Sequence, residues 1–264
     1  MSNAVELAWD EVATGYDDYF SPRFAPYLGT ALGSLIGHKR ELPSPGCIVV
    51  PCTGPGHELG PLARAFSERQ ILASDLSGEM VKLARARNAR FANVSVERAD
   101  ATQLPRPEHG AAALLSVFGL QLLPNPAETL ASWLELLQPR GLAAVAYWPR
   151  DADEGGPFGT MHRLLAESGT PDRAWQGELE ANILAASAHI REDVRIAFEM
   201  KHEDARSLWQ AMTRLGPLRA LALARGQAFV EQLGSRFEAE VPAGPISHAP
   251  EARLLLLERA SSMA

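Results

Sequence analysis

The stretch Ile48–Leu59, IVVPCTGPGHEL, constrains this chain more than any other. An apolar strand (Ile48, Val49, Val50) stops at Pro51, turns through Thr53-Gly54-Pro55-Gly56, and enters a helix with the apolar stripe Leu59, Leu62, Ala63 and Phe66. Glycines let the turn approach closely, so backbone N–H groups and a helix N-terminus converge on whatever lies beyond the strand's C-terminal end. That arrangement cradles a small molecule. An ordinary tight strand-to-helix turn reads the same way, so a Gly-x-Gly needs support from elsewhere in the chain.

The rest of the chain supplies a sheet around that turn. Residues 5–38 read as two helices broken at Ser21-Pro22, the second striped by Phe24, Tyr27, Leu28, Ala31, Leu32 and Leu35, with Tyr16, Tyr19 and Phe20 packing rings in the first. After the linker Pro43–Gly46, strands at Ile71–Ser74, Val94–Arg98, Ala111–Val117 and Leu142–Trp148 alternate with helices at Gly78–Arg87 and Ala127–Leu137. Apolar strands alternating with helices predict a parallel sheet covered on both faces. Beyond Trp148 the pattern predicts helices at Pro157–Ser168 and Gly177–Ser187, a strand at Val194–Met200, helices at Glu203–Leu215 and Leu218–Leu233, and a last strand at Ala252–Leu257. The expected fold is α/β, a seven-stranded, mostly parallel sheet with an N-terminal helical cap (1–45), a core (46–150), and a helical insertion plus two closing strands (151–264) in one structural domain.

The formal net charge of −7 argues against nucleic acid, because phosphate binding wants clustered Lys and Arg. No apolar run approaches the length of a membrane span, and the first residues carry no leader pattern. The two cysteines, Cys47 and Cys52, share one segment, which fits a reducing cytoplasm better than a disulfide framework. The seven histidines show no metal-ligand spacing, Asp151 and Asp153 read as a solvated turn, and no metal is expected.

Two acids carry the chemistry. Asp75 ends the second strand about 20 residues past the glycine turn, where a carboxylate can accept hydrogen bonds from both hydroxyls of a ribose. Asp100, after the third strand, can accept from an adenine amine while the neighbouring backbone N–H of Ala101 meets a ring nitrogen.

Taken in order, VVPCTGPGHEL, ILASDLSGEM, VERADATQLP, LLSVFGLQLLPNP and LLQPRGLAAVAYW resemble the successive motifs of class I S-adenosylmethionine-dependent methyltransferases, the branch acting on small molecules and quinones. The resemblance runs from about 45 to 148, and Tyr16-Asp17 matches the Tyr-Asp of that family's helical cap. It implies a Rossmann-like core that binds S-adenosylmethionine and releases S-adenosylhomocysteine. The backbone from Pro51 through Cys52, Thr53 and Gly54 to Gly56 would hold the methionine part, Asp75 the ribose, Leu76 and Met80 the adenine faces, and Asp100 with Ala101 its edge. Ser116 and Phe118 would lie near the sulfur and Tyr16 over the carboxylate end. The chain departs from the family at Val50, where an acid is usual, and at Cys52, where a glycine is usual; the acid helps to hold the cofactor's ammonium.

Methyl transfer needs alignment in a dry site and, for an oxygen or nitrogen nucleophile, a base. His162, Tyr16 and Gln121 are the catalytic candidates, with Tyr19 and His57 behind them; Trp148, Trp175 and Trp209 read as packing. The expected partner is a small acceptor, with neither nucleic acid nor a membrane, its pocket built from residues 1–35 and 151–190. Two other readings remain open at this stage: a non-catalytic S-adenosylmethionine-binding module, and a nicotinamide-dependent oxidoreductase. The latter is disfavoured because Gly54-x-Gly56 followed by Gly60 misses the dinucleotide fingerprint.

Overall fold

The computed structural model describes residues 3–169 and 175–261. In chain order its elements are α1 (Asn3–Gly37), β1 (Cys47–Pro51), α2 (Leu59–Ala65), β2 (Ile71–Asp75), α3 (Gly78–Asn88), β3 (Val94–Arg98), β4 (Ala111–Val117), α4 (Pro126–Leu136), β5 (Leu137–Tyr147), α5 (Pro157–Glu167), α6 (Leu179–Ala185), β6 (Ala188–Ala197), β7 (Met200–His202), α7 (Ala205–Met212), α8 (Gly216–Arg225), α9 (Gln227–Glu240), β8 (Ile246–His248) and β9 (Glu251–Arg259). The described chain divides into two compact units: residues 26–147, 175–195 and 253–261 form one, and residues 3–25, 148–169 and 196–252 the other.

The first unit holds the seven-stranded sheet, in the order β3-β2-β1-β4-β5-β9-β6. Parallel pairing joins β1 to both β2 and β4, whereas β9 runs antiparallel to β5. Ala111–Ser116 of β4 and Leu142–Tyr147 of β5 are buried throughout, as strands covered on both faces must be. Strand order reverses between β1 and β4, and in such sheets the crevice for a ligand opens beyond the strand ends at that reversal. Trp133 on α4 is buried and donates from Nε1 to the Ala101 carbonyl at 2.7 Å, which fastens the turn after β3 to the core.

The second unit holds α5, α7, α8 and α9 with the two-stranded antiparallel sheet β7-β8. Trp209 packs on Phe237 with ring centroids 5.2 Å apart. Gly234 makes room for it, since a Cβ there would lie 2.3 Å from the indole nitrogen.

The expected sheet is present, and the boundaries differ at four places for physical reasons. α1 is one helix rather than two, running through Pro22 and Pro26. Both prolines are exposed, so the carbonyls that lose a backbone partner face water, while Phe20, Tyr27, Ala31 and Leu35 keep one buried stripe in phase across them. β5 begins at Leu137 and carries Pro139-Arg140-Gly141 inside it as an irregularity, with Arg140 at φ 65°. The strand expected at Val194–Met200 divides between β6 and β7, which lie in different sheets. The helix expected at Leu218–Leu233 breaks at Gly226, whose φ of 91° suits only glycine.

Because Pro22 is tolerated in α1 rather than required, Pro22→Ala is expected to raise stability by about 2 kcal/mol. Urea denaturation midpoints measure it; a lower midpoint would mean that the proline shapes the helix.

Candidate cofactor site

The ends of β1 and β4 meet at the point of strand reversal. Cys52, just past β1, adopts φ 54°, a left-handed conformation that most side chains avoid, and Phe118, just past β4, sits at φ 60°. Gly119 lets the two loops touch, since a Cβ there would lie 2.4 Å from the Cβ of Cys52 and 3.3 Å from the Ser116 hydroxyl. The Cys52 thiol is held protonated: desolvation raises its pKa well above the usual value, and the carboxylates of Asp75 and Asp100 add to the shift.

The turn is fastened from below by acids. Asp75 Oδ2 accepts from the backbone N–H of Gly54 at 2.8 Å and Oδ1 from that of Ser77 at 3.0 Å. Ser77 in turn caps α3 by accepting from the Met80 N–H at 3.1 Å. Asp100 Oδ1 accepts from the backbone N–H of Thr102 at 2.9 Å and from its hydroxyl at 2.7 Å, which shapes the turn that presents Ala101. Thr53 is buried and its hydroxyl donates to the buried Glu58. Desolvation pushes the Glu58 carboxyl up to about 7, with the neighbouring Asp75 contributing in the same direction.

Two oxygens at this site are conspicuous for their chemistry. Ser116 Oγ and Gln121 Oε1 are the buried side-chain atoms without a hydrogen-bond partner among the described residues. The amide nitrogen of Gln121 donates to the Phe118 carbonyl at 2.8 Å, which leaves its oxygen as a fixed acceptor. Phe118 is buried edge-on against Tyr27, centroids 5.6 Å apart, and Met80 is buried while Leu76 is half-buried.

Pro51, Cys52, Thr53, Gly54, Gly56, Asp75, Leu76, Met80, Asp100, Ala101, Ser116, Phe118 and Gln121 therefore all belong to the sheet-bearing unit, at or beyond strand ends. Tyr16 and His162 belong to the other. Tyr16 lies edge-on to Trp9 at 5.7 Å and beside Phe20 and Phe24 at 6.1 and 6.3 Å. His162 is exposed on α5, and His57 is exposed beside the glycine turn. Glu58 is the site residue that sequence reasoning missed. An acid beside an exposed histidine at a helix start gives no local sign of pointing inward. Asp153, expected in a solvated turn, instead has a side chain only 9% exposed and pairs with His248 at 2.9 Å.

The family model described as "Methyltransferase domain" matches residues 48–141. Residues 48–141 are thus similar to a methyltransferase domain. Among solved structures, the YcgJ protein of Bacillus subtilis superimposes with a TM-score of 0.61 at 17% identity, covering 89% of this chain and all (100%) of that one. A putative methyltransferase of Bacillus halodurans gives 0.57 at 16% identity, covering 86% and 98%. The geranyl diphosphate C-methyltransferase of Streptomyces coelicolor, solved with S-adenosyl-L-homocysteine, gives 0.54 at 11% identity, covering 88% and 76%. An uncharacterized 37.1 kDa protein in transposon TN4556 of Streptomyces fradiae is 36% identical over 89 residues, which is 33% of this chain and 26% of that protein. The match therefore spans about a quarter of that curated relative.

The methyltransferase domain holds one pH-sensitive group whose sign is clear. Glu58 binds its proton more tightly folded than unfolded, so its contribution to stability is full below pH 4.5 and is lost as pH rises through about 7. Glu58→Gln should match the native chain at low pH and become more stable across that window, by up to about 3 kcal/mol. Denaturation of both proteins across the range measures the difference, and a constant difference would mean that the carboxyl is solvated.

Proposed function

We propose that this chain transfers a methyl group from S-adenosylmethionine to an oxygen, nitrogen or carbon atom of a small, apolar or aromatic acceptor in the cytoplasm. The observation that carries the reading is the set of groups at the strand ends. Two carboxylates and two buried acceptors without a hydrogen-bond partner among the described residues stand at the strand ends, where the ribose, the adenine edge and the ammonium would bind. Asp75 would take the ribose, Asp100 with Ala101 the adenine edge, and Leu76 and Met80 the ring faces. Ser116 Oγ and Gln121 Oε1 would take the ammonium, the role that Val50 cannot fill.

S-adenosylmethionine supplies a methyl group on a positively charged sulfur, which makes the carbon electrophilic. The chain's own work is to hold the adenosine and methionine ends apart at fixed positions, keep water out, and align the nucleophile. A non-catalytic module that keeps only the cofactor remains a second reading, favoured by Val50, which is buried and carries no charge.

Calorimetric titration should show S-adenosylmethionine and S-adenosylhomocysteine binding and NADPH silent. Asp75→Ala should weaken both at least about ten-fold, the loss of a charge-assisted hydrogen bond. Unchanged affinity would remove Asp75 from the ribose site, and binding of NADPH alone would overturn the methyltransferase reading. Product binding with no methylation across a panel of phenols, amines and quinones would leave the module reading standing.

A further inference from the structure

Each residue of the glycine turn is held by a side chain. The Thr53 hydroxyl donates to the Glu58 carboxyl, and the Gly54 N–H donates to Asp75 Oδ2 at 2.8 Å. The Pro55 carbonyl accepts from the Arg87 guanidinium, and the Gly56 carbonyl accepts from Asn88 Nδ2 at 2.9 Å. The helix that carries Arg87 and Asn88, α3, packs directly on the turn: a Cβ at Gly56 would lie 2.8 Å from that of Ala84. Every member of this cluster belongs to the sheet-bearing unit.

Glu58, Asp75 and Arg87 are ionisable, and Glu58 is the buried one, 7% exposed. The charged groups that face it are Asp75 on β2 and Arg87 on α3. Their charges cancel, so a protonated Glu58 leaves the cluster neutral and an ionised one leaves it with one net negative charge. Desolvation dominates the balance and, with Asp75, pushes the Glu58 carboxyl up to about 7, while the Thr53 hydroxyl and Arg87 act in the opposite direction. The cluster is therefore poised between two charge states near neutral pH. Charge is felt across this region because little water screens it: the buried Cys52 thiol responds to both Asp75 and Asp100.

We propose that Glu58 is a specificity-determining residue that tells the two forms of the cofactor apart by charge, giving up its proton when S-adenosylmethionine binds and keeping it when S-adenosylhomocysteine binds. The proposal rests on the methyl-transfer reading above. S-adenosylmethionine carries a sulfonium, an ammonium and a carboxylate, hence one net positive charge; loss of the methyl group leaves a neutral thioether and no net charge. The cation matches the cluster with one net negative charge, and the product matches the neutral cluster. On binding of S-adenosylmethionine the Glu58 O–H bond breaks, its electron pair stays on the carboxylate, and the proton leaves to solvent. Once the sulfur has lost its charge a proton returns from solvent, and nothing is oxidised or reduced. Linkage is reciprocal, so the preference for S-adenosylmethionine over its product grows as pH rises through the Glu58 titration. Glu58 acts through Thr53 and through its charge, without touching the reacting atoms.

Calorimetric titration of the full chain near neutral pH, in buffers of different ionisation enthalpy, counts the protons that each ligand releases. If S-adenosylmethionine lowers the Glu58 carboxyl from about 7 to about 6, the native protein should release about 0.4 proton more than Glu58→Gln, which keeps an acceptor for Thr53. With S-adenosylhomocysteine the two proteins should release the same number. Between about pH 6 and about pH 8 the ratio of the two affinities should rise about five-fold more in the native protein than in the variant. Comparison with the variant removes protons that come from the ligands themselves. Carboxyl-carbon NMR of the unmodified protein reads the same group without a substitution: the Glu58 titration should move to lower pH with S-adenosylmethionine and stay in place with S-adenosylhomocysteine. Equal proton release by native protein and variant, or a Glu58 titration that both ligands leave alike, overturns the proposal and leaves the cofactor reading intact. Failure of both ligands to bind sinks that reading, and the proposal with it.

Discussion

The Asp75 carboxylate is the interaction on which the cofactor domain depends. One oxygen holds the Gly54 N–H of the turn after β1, and the other holds the Ser77 N–H at the start of α3. Two pieces of chain that leave neighbouring strands, the turn after β1 and the connection from β2 to α3, are therefore fixed by a single anion. Hydrogen bonds to a charged group contribute on the order of 1.5–3 kcal/mol each, enough to hold a glycine turn that would otherwise sample many conformations.

The departures from the family pattern are settled in different ways. At Cys52 the side chain is accepted at φ 54° because Gly119, across the strand reversal, has no Cβ to collide with it. At Val50, on the proposed reading, neutral acceptors among the described residues stand where the family's acid would. Glu58, the buried acid nearest in sequence, is tied to the Thr53 hydroxyl beneath the turn. The unpaired acceptors are neutral, Ser116 Oγ and Gln121 Oε1. Neutral acceptors bind an ammonium more weakly than a carboxylate does, but they also cost less to bury.

Much of this was legible in the sequence wherever the governing interaction was local. The run from β1 to β4, the glycine turn and the placement of Asp75 and Asp100 at strand ends all follow from periodicity and spacing within a few dozen residues. Proline misled at Pro22 because its cost is local while the stripe from Phe20 to Leu35 that outweighs it is tertiary. Asp153 looked solvated in an acidic, glycine-rich loop because its partner, His248, lies 95 residues away. The split of Val194–Met200 between two sheets, and the short β8 that pairs with β7, had no periodic signal at all; three-residue strands are fixed by their partners.

The most direct measurement of the central claim is a crystal structure of the chain with S-adenosylhomocysteine. The ribose hydroxyls should lie on Asp75, the adenine edge on Asp100 and Ala101, and the ammonium within hydrogen-bonding distance of Ser116 Oγ and Gln121 Oε1. A ligand seated elsewhere, or seated there with its ammonium turned away from both oxygens, would contradict the assignment of these strand ends as a cofactor site that works without the usual acid.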